Sequence, residues 1–282
     1  MDFSAPDDAQ RRRWESDLVE RGKPVPDPEG FDELFVHALH SGGDWVGMAA
    51  FGKSPDVVVD VWIRPEHRRR GRGHEALALV ERRLRGDAVD VVRVGIDPDD
   101  QAADRLFAGY RAYSRNMELR LGESPRRPEG VAVARLTADE FDEWKVENLA
   151  GYAAAISRNT GVPLEEAAAR SEKQFRQLLP QGVDTPDHEL WNLRADGAFA
   201  ARLWLYFDGG KGHAYIYDVE SDAARRGKGF GRAAMYLAEE RAAAAGLSRV
   251  RLHVFADNAP ANGLYRSLGY RVYGENRVKN LA

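Results

Sequence analysis

Cysteine is absent from the 282-residue sequence, which excludes disulfide bonds, thiolate metal ligands and a cysteine nucleophile. Long apolar runs are lacking as well: none approaches the ~18 residues of a membrane span, and the first residues are polar and acidic. There is no excess of positive charge, because the formal net charge is −4. We therefore expect a cytoplasmic protein that takes neither metal, membrane nor nucleic acid as a partner.

Glycine and basic residues are instead concentrated in two short stretches, PEHRRRGRGH at 65–74 and ARRGKGFGR at 223–231. A shift of 158 residues places Arg68 on Arg226, and the register then holds without a gap for roughly forty residues. Asp60 falls on Asp218 and Leu106 on Leu264. The sequence therefore predicts two copies of one module, at 1–122 and 131–282, joined by a Pro- and Gly-containing linker at 123–130.

Each copy is predicted to be mixed α/β. In the second copy, one strand, two helices and three strands lead into the glycine stretch, which opens a further helix. A strand, a short helix and a last strand follow. The first copy has the same order from ELFVHALH onward, but residues 1–30 indicate one polar helix and a Pro-rich lead-in with no first strand. The RRR at 11–13 fits a solvated helix face.

The glycine stretch has a specific chemical use. A strand that enters glycines and then a helix presents unpaired backbone N–H groups at the positive end of the helix dipole, which suits a phosphate or pyrophosphate. The alternative is a glycine-rich turn with solvated arginines. The spacing matches neither the GxxxxGK[ST] phosphate loop nor a dinucleotide-binding fold.

These residues resemble a known family. Strand, Arg-x-x-Gly-x-Gly and helix are similar to the acetyl-CoA pyrophosphate loop of the GNAT superfamily of N-acetyltransferases. The segment ADNAPANGLYRSLGY at 256–270 resembles that superfamily's Asn-x-x-Ala-x-x-Leu-Tyr-x-x-x-Gly-aromatic segment. The likeness covers essentially all of 131–282, and the tandem arrangement resembles double-GNAT proteins such as mycothiol synthase. It implies two GNAT folds, each a mostly antiparallel central sheet with flanking helices.

The resemblance also implies roles for particular residues. The backbone around 227–231 would hold the pyrophosphate of acetyl-CoA, the strand end at 219–221 would pair with the pantetheine arm, and Tyr265 would protonate the departing thiolate. Ser221 and Ala223 replace the usual Val and Pro before the loop. The residues expected to bind acetyl-CoA as co-substrate are Val219, Ser221, Arg226, Gly227, Lys228, Gly229, Phe230, Gly231, Asn258 and Tyr265; the counterparts in the first module are Ile63, Arg68, Arg69, Arg70, Gly71, Arg72 and Gly73.

Direct acetyl transfer requires a neutral amine, so a group must take the ammonium proton. Glu220 and Asp218 share one face of a strand by the two-residue period, and we take Glu220 as the first candidate base and Asp218 as the second. Either could instead be a solvated carboxylate or a contact for a cationic substrate. His253 on the neighbouring strand is a further candidate, although a strand histidine is commonly just packed or exposed.

The repeat acts as an internal control. Glu220 corresponds to Trp62, Tyr265 to Phe107 and Asn258 to Asp100, so the first module keeps the glycine loop and lacks the proposed acid, base and amide. We therefore expect catalysis in the second module only. Whether the first module binds acetyl-CoA stays open.

For the other candidate residues, the sequence gives weaker support for a functional role. Five strand aromatics of the second copy fit a core better than an acceptor pocket: Trp191, Trp204, Tyr206, Tyr215 and Tyr217. The helical insert at 137–179 lies where GNAT relatives place acceptor-binding helices, with Glu143, Glu147 and Tyr152 as surface candidates. The prediction is acetyl transfer to a small, cationic primary amine; the alternatives are a peptide or protein amine, or an acyl-CoA sensor without turnover. The oligomeric state is open.

Overall fold

The computed structural model describes residues 1–53, 56–122 and 128–282. The chain forms two compact units: unit 1 comprises Met1–Ala112 with Glu275–Ala282, and unit 2 comprises Tyr113–Gly274. Residues 123–127 of the predicted linker lie outside the described residues. No helix of the described chain has the length and apolarity needed to cross a bilayer.

Unit 1 is built around a mostly antiparallel sheet. Strands β1 to β4 pair with their sequence neighbours in antiparallel fashion, and β4 pairs with β5 in parallel. The elements are β1 (Asp2–Ser4), α1 (Asp8–Glu20), β2 (Glu33–Ser41), β3 (Asp44–Lys53), β4 (Val57–Ile63), α2 (Arg72–Gly86), β5 (Val91–Ile96) and α3 (Gln101–Leu106).

Unit 2 repeats this plan with one additional helix. Strands β7 to β10 are antiparallel neighbours, β10 and β11 are parallel, and β6 closes the other side of β11 in antiparallel fashion. The elements are β6 (Arg111–Arg120), β7 (Ala132–Arg135), α4 (Ala138–Thr160), α5 (Leu164–Leu178), β8 (His188–Ala195), β9 (Ala198–Asp208), β10 (His213–Ser221), α6 (Phe230–Ala244), β11 (Arg249–Phe255) and α7 (Ala259–Ser267).

The last strand, β12 (Arg271–Asn280), completes the sheet of unit 1, because Glu275–Asn280 pair with β5. The equivalent strand of the first repeat, β6, pairs instead with β11 of unit 2 through residues 114–120. Each sheet is therefore completed by a strand from the other half of the sequence. This division differs from the predicted boundaries, which leave β6 with the first module and the whole of β12 with the second.

The first copy does contain the strand that the sequence analysis omits. β1 pairs with β2 from Asp2 to Ser4, so the expectation that the first copy has no first strand is wrong. Three residues of this strand give no alternating pattern to detect. Both copies then enter a helix through a capping box, Asp7 with Gln10 and Thr137 with Glu140.

Each unit buries its own core. In unit 2, α6 and α7 pack on one cluster that includes Met117 of β6, while α4 and α5 pack on an aromatic cluster around Trp144, Phe175 and Trp204. In unit 1, Leu281 at the end of the chain belongs to the main cluster, and Trp14 of α1 belongs to a second. β6 and the residue that follows β12 thus contribute to the cores of the units that they join.

Candidate active site

A gap opens between β10 and β11 in unit 2. The two strands pair in parallel only from Ala214–Ile216 to Val250–Leu252, although β10 continues to Ser221 and β11 to Phe255. A β-bulge at Tyr217, between Ile216 and Asp218, marks the point where pairing with β11 stops. The edge of β10 beyond the bulge is a place where an extended ligand can add as a strand.

The predicted pantetheine-binding backbone lies on that edge. Val219 and Ser221 pair with Leu203 and Ala201 of β9 on their other side. Asp222 then accepts a hydrogen bond from the backbone N–H of Ala224 at 2.9 Å, which turns the chain from the strand into the glycine loop.

The glycine loop opens α6. Gly227 and Gly229 have φ of +79° and +87°, a region in which other residues are strained. Gly229 is the N-cap of α6 and offers no side-chain cap to the first-turn N–H groups, so these donors are available to an anion. Glycine at position 231 is explained by packing, because a Cβ there would lie 3.3 Å from Leu264 of α7.

Positive charge surrounds this helix start. Arg226 and Lys228 are exposed, and neither forms a salt bridge in the described part of the chain. Arg225 instead donates to the carbonyl of Ala195 at 3.0 Å and lies over the Phe230 ring. The exposed, uncapped and cationic loop therefore fits a pyrophosphate, the group that acyl-CoA would present here.

Tyr265 of α7 is buried, with its ring against Tyr270. Burial raises the pKa of its hydroxyl, and the negative charge of Asp218 raises that pKa further. The phenol therefore keeps its proton at neutral pH, which a proton donor requires.

Asp218 is held against α4. Its Oδ2 accepts a hydrogen bond from the Asn148 side-chain amide at 3.2 Å. Burial raises the pKa of Asp218 to about 6, and the neighbouring Glu220 carboxylate adds to this, while the Trp144 indole, Arg202 and Asn148 oppose it. A carboxylate that titrates near pH 6 is suited to accept a proton from an ammonium group near neutral pH.

Glu220 lies in a different environment. Its side chain is 46% exposed, and its Oε2 lies 3.6 Å from a guanidinium nitrogen of Arg202. Arg202 is itself held by Asn192, whose side-chain oxygen accepts from its Nε at 3.0 Å. The base role assigned to Glu220 from the sequence stays a prediction, and the burial of Asp218 favours the second carboxylate.

Asn258 and His253 border the same opening. The Asn258 side-chain oxygen accepts from the backbone N–H of Ala261 at 3.2 Å and caps α7, which leaves its amide N–H₂ for a ligand. The pKa of His253 is lowered by burial, so the ring is neutral, and it meets Phe255 edge to face.

Trp144 and Asn148 are two further residues at Asp218 that were not predicted as site residues from the sequence. Trp144 is 1% exposed, and its indole N–H has no hydrogen bond of good geometry in the described chain although it lies near Asp218. A signal was present: Trp14 and Trp144 each lie seven residues after the N-cap residue of their helix, Asp7 and Thr137. Comparing the two capping boxes would have aligned these helices.

The strand aromatics of unit 2 are mainly packed. Trp204 is buried against Trp144 and Phe175, and its indole N–H donates to His188 Nδ1 at 2.9 Å. Burial lowers the pKa of His188 to about 4. Trp191 lies beneath the guanidinium groups of Arg135 and Arg241. The rings of Tyr206 and Tyr215 pack at tilted angles against Tyr217.

A cavity of about 350 Å³ also occurs in unit 2, lined by Arg135, Phe207 and residues 183–189. None of the predicted site residues lines it. Tyr152, one of the insert candidates, lies instead near Phe255 of β11, so α4 covers one side of the opening between β10 and β11.

The equivalent place in unit 1 has the same backbone and different side chains. Pairing of β4 with β5 ends at Val58, and a bulge at Val59 matches the one at Tyr217. Phe107, without a hydroxyl, replaces Tyr265 and is buried. Asp100 caps α3 as Asn258 caps α7.

Two arginines of the glycine loop in unit 1 contact other residues of the same unit. Arg68 donates to the carbonyl of Ile63 at 2.7 Å, and Arg72 contacts His67. Arg69 adopts a positive φ of 58° where unit 2 has Gly227. Gly71 keeps the N-cap position with φ of +76°, and a Cβ at Gly73 would lie 3.5 Å from Leu106. Arg70 is exposed.

Comparisons with known proteins agree with this geometry. The model of the acetyltransferase (GNAT) family matches residues 5–110 and 140–270. A mycothiol acetyltransferase of Clavibacter michiganensis is 32% identical over 78% of this chain and 69% of its own length. The uncharacterized N-acetyltransferase YdgE of Bacillus subtilis is 33% identical over 52% of this chain and 95% of its own. The crystal structure of a GCN5-related N-acetyltransferase from Sphaerobacter thermophilus has the same fold, with a TM-score of 0.60 at 18% identity, covering 99% of this chain and 95% of that one.

The chain therefore belongs to the GNAT acetyltransferase family and contains two GNAT segments. The predicted fold class and tandem arrangement are confirmed. The protein is an N-acetyltransferase enzyme.

Proposed function

We propose that unit 2 transfers the acetyl group of acetyl-CoA to the primary amine of a small cationic molecule by direct attack. The observation that supports this proposal is the position of Asp218 on β10, just past the point where β10 stops pairing with β11 and where α4 holds its carboxylate through Asn148. Tyr265 of α7 supplies the second proton-transfer group, and the negative charge of Asp218 raises the pKa of its hydroxyl. Unit 1 has Phe107 in place of Tyr265.

Each part of the site has a separate role in binding or proton transfer. The first turn of α6, with Arg226 and Lys228, binds the pyrophosphate, and the edge of β10 at Val219–Ser221 orients the pantetheine arm. Asn258 offers its amide N–H₂ beside it. Acetyl-CoA supplies the thioester when bound. A carboxylate on β10 takes the ammonium proton of the acceptor, and Tyr265 donates a proton to the departing thiolate.

Asp218 is our first candidate for that carboxylate, and Glu220 is the second. Asp218 is held by Asn148 of α4, and burial raises the pKa of its carboxyl to about 6. Glu220 is exposed and close to Arg202, so it is suited to attract a cation toward the site.

The test is release of CoA thiol from acetyl-CoA across a panel of amines. The panel contains polyamines, aminoglycosides, peptide amines and the acceptor of mycothiol acetyltransferases, because those relatives are 32% identical to this chain. The protein has no cysteine that would add to the thiol signal. We expect turnover with small cationic amines. Turnover with peptide amines alone would contradict the proposed acceptor class.

A matched pair of variants tests which unit is responsible. Lys228 and Arg70 occupy equivalent places in the two loops. Lys228→Ala should raise the KM for acetyl-CoA by about 10-fold, because it removes a charge beside the pyrophosphate. Arg70→Ala should leave that KM unchanged. The opposite pattern would place catalysis in unit 1.

A further inference from the structure

Unit 1 contains a carboxylate whose cationic partners come from its own chain. Asp60 is 4% exposed. Its oxygens accept from the Trp14 indole at 2.9 Å, from two guanidinium nitrogens of Arg21 at 3.1 and 2.9 Å, and from Lys23 at 3.2 Å. Burial alone would raise the pKa of Asp60, but these hydrogen bonds and positive charges outweigh it and lower the pKa.

The same carboxylate and tryptophan recur in unit 2. Asp218 is equivalent to Asp60 by the repeat, and both follow a bulge in the strand. Trp144 is equivalent to Trp14, since each lies seven residues after its N-cap residue. The alignment of the two helices then extends without a gap from the caps through these tryptophans.

The basic residues that contact Asp60 in unit 1 have no basic equivalent at Asp218 in unit 2. The alignment places Gly151 where unit 1 has Arg21. Lys23 lies beyond the end of α1, after Gly22 with a φ of +67°, and therefore has no equivalent on α4, which continues to Thr160. Asp218 receives a hydrogen bond from Asn148 of α4, and the buried Trp144 N–H beside it has no hydrogen bond of good geometry in the described chain. Glycine thus replaces arginine at the helix position from which unit 1 binds its carboxylate.

The surface of α4 is open at Gly151. Gly151 is exposed, and a Cβ there would meet no atom within 4 Å. Gly151 lies within α4, where the helical backbone does not require glycine. Glycine in a helix interior destabilises the helix by about 0.5–1 kcal/mol relative to alanine. Gly151 lies three residues after Asn148, which contacts Asp218, so glycine leaves this part of the α4 surface without a side chain.

We propose that Asp218 and Trp144 form a subsite for an alkylammonium or alkylguanidinium group, which reaches them over Gly151 along the path that the Arg21 side chain takes to Asp60. The inference rests on the proposed function in one respect: the group bound there is the reacting amine of the acceptor. Unit 1 fills its own subsite with Arg21 and Lys23, which adds a second reason, beside Phe107, for expecting no acetyl transfer there.

The charges around Asp218 agree with a cationic ligand. Glu220 lies on the same face of β10, and Glu147 lies one turn before Gly151 on α4. Arg202 is paired with Glu220. In unit 1 the position of Glu147 is held by Asp17, which forms an ion pair with Arg21, so both helices place a carboxylate beside this path.

The first experiment measures binding without turnover. The probe is n-propylguanidinium, which has the form of an arginine side chain and keeps its charge. Titration should shift the indole ¹H–¹⁵N signal of Trp144, assigned with Trp144→Phe, in a saturable manner. Asp218→Asn should weaken this binding by at least ~10-fold, because it removes the charge that the cation faces. The other indole signals report whether the fold is intact.

The second experiment introduces the unit 1 arrangement into unit 2. Gly151→Arg should place a guanidinium on Asp218, supported by Glu147, and abolish binding of the probe. Gly151→Gln, of similar length and without charge, should keep binding within about threefold. Equal loss in both variants, or no shift of the Trp144 signal in the wild type, would overturn the proposal.

The outcome is separable from that of the proposed function. Tyr265→Phe should bind the probe as the wild type does, because the hydroxyl is not part of the subsite. Probe binding without any acetyl transfer would uphold the subsite and refute the proposed reaction. Acetyl transfer without probe binding at Asp218 would do the reverse.

Discussion

Asp218→Asn should make the enzyme less active and more stable at the same time. Burial and the Glu220 charge raise the pKa of the Asp218 carboxyl from 3.8 to about 6. The folded state therefore binds this proton more tightly than the unfolded chain does. Stability from this group is fully present below pH 3.8, falls as the pH rises between the two values, and is lost above about pH 6.

The magnitude follows from the size of the shift. About two pKa units correspond to roughly 3 kcal/mol by which the ionised carboxylate disfavours the fold at pH 7.5. The Asp218 side chain keeps some exposure to solvent, and asparagine offers Asn148 one acceptor oxygen instead of two; both effects reduce the expected gain. We predict that Asp218→Asn raises the free energy of unfolding by about 1–2 kcal/mol at pH 7.5 and has little effect at pH 4.

Activity should change in the opposite direction. In the wild type, kcat/KM should rise with pH through about 6 as Asp218 ionises, and Asp218→Asn should lower kcat by about 10²–10⁴-fold and remove that limb of the profile. Thiol release and urea unfolding, each measured from pH 4 to 8.5, provide the two readouts. Glu220→Gln is the matched control and should keep the limb. The reasoning is refuted if Asp218→Asn retains the limb and Glu220→Gln loses it, because Glu220 is then the base.

Three further predictions concern the loops, the exchanged strand and the unit 1 carboxylate. Gly229→Ala, at φ +87°, should raise the KM for acetyl-CoA by about 10-fold, whereas Gly71→Ala should not; equal effects would argue against the loop assignment. Deletion of 275–282 removes the strand that pairs with β5 and should abolish hydrogen-exchange protection of Val92, Val94 and Ile96, whose amides alternate with that of Arg93, which donates to Asp56 on the β4 side; retained protection at these three residues would contradict the exchange. Asp60→Asn leaves Arg21 and Lys23 without their shared carboxylate and should lower the free energy of unfolding by about 2–3 kcal/mol; an unchanged urea midpoint would count against a structural role.

Much of the fold could be predicted from the sequence, because its signals are local. The capping box of Thr137 with Glu140, the strand periods and the glycines that open α6 each depend on neighbours in the chain. The repeat of 158 residues then placed the same elements in the first copy. Glycines at 71 and 229 could be assigned to a helix start in this way, and both occupy the N-cap position.

Long-range pairing could not be predicted in the same way. β6 and β12 are equivalent strands with compatible patterns, and no local feature determines which sheet each one completes. The environment of the candidate base is also a tertiary property. Asp218 and Glu220 are alike in the sequence, and only the packing of α4 gives the first a raised pKa and leaves the second beside Arg202.

In the proposed mechanism, Tyr265 of unit 2 donates the proton that releases the thiolate. This role can be measured by single-turnover thiol release in Tyr265→Phe, which introduces the residue that unit 1 carries at Phe107. We expect a rate lower by at least ~100-fold, with acetyl-CoA affinity within about twofold of the wild type. A rate within about threefold of the wild type would contradict it.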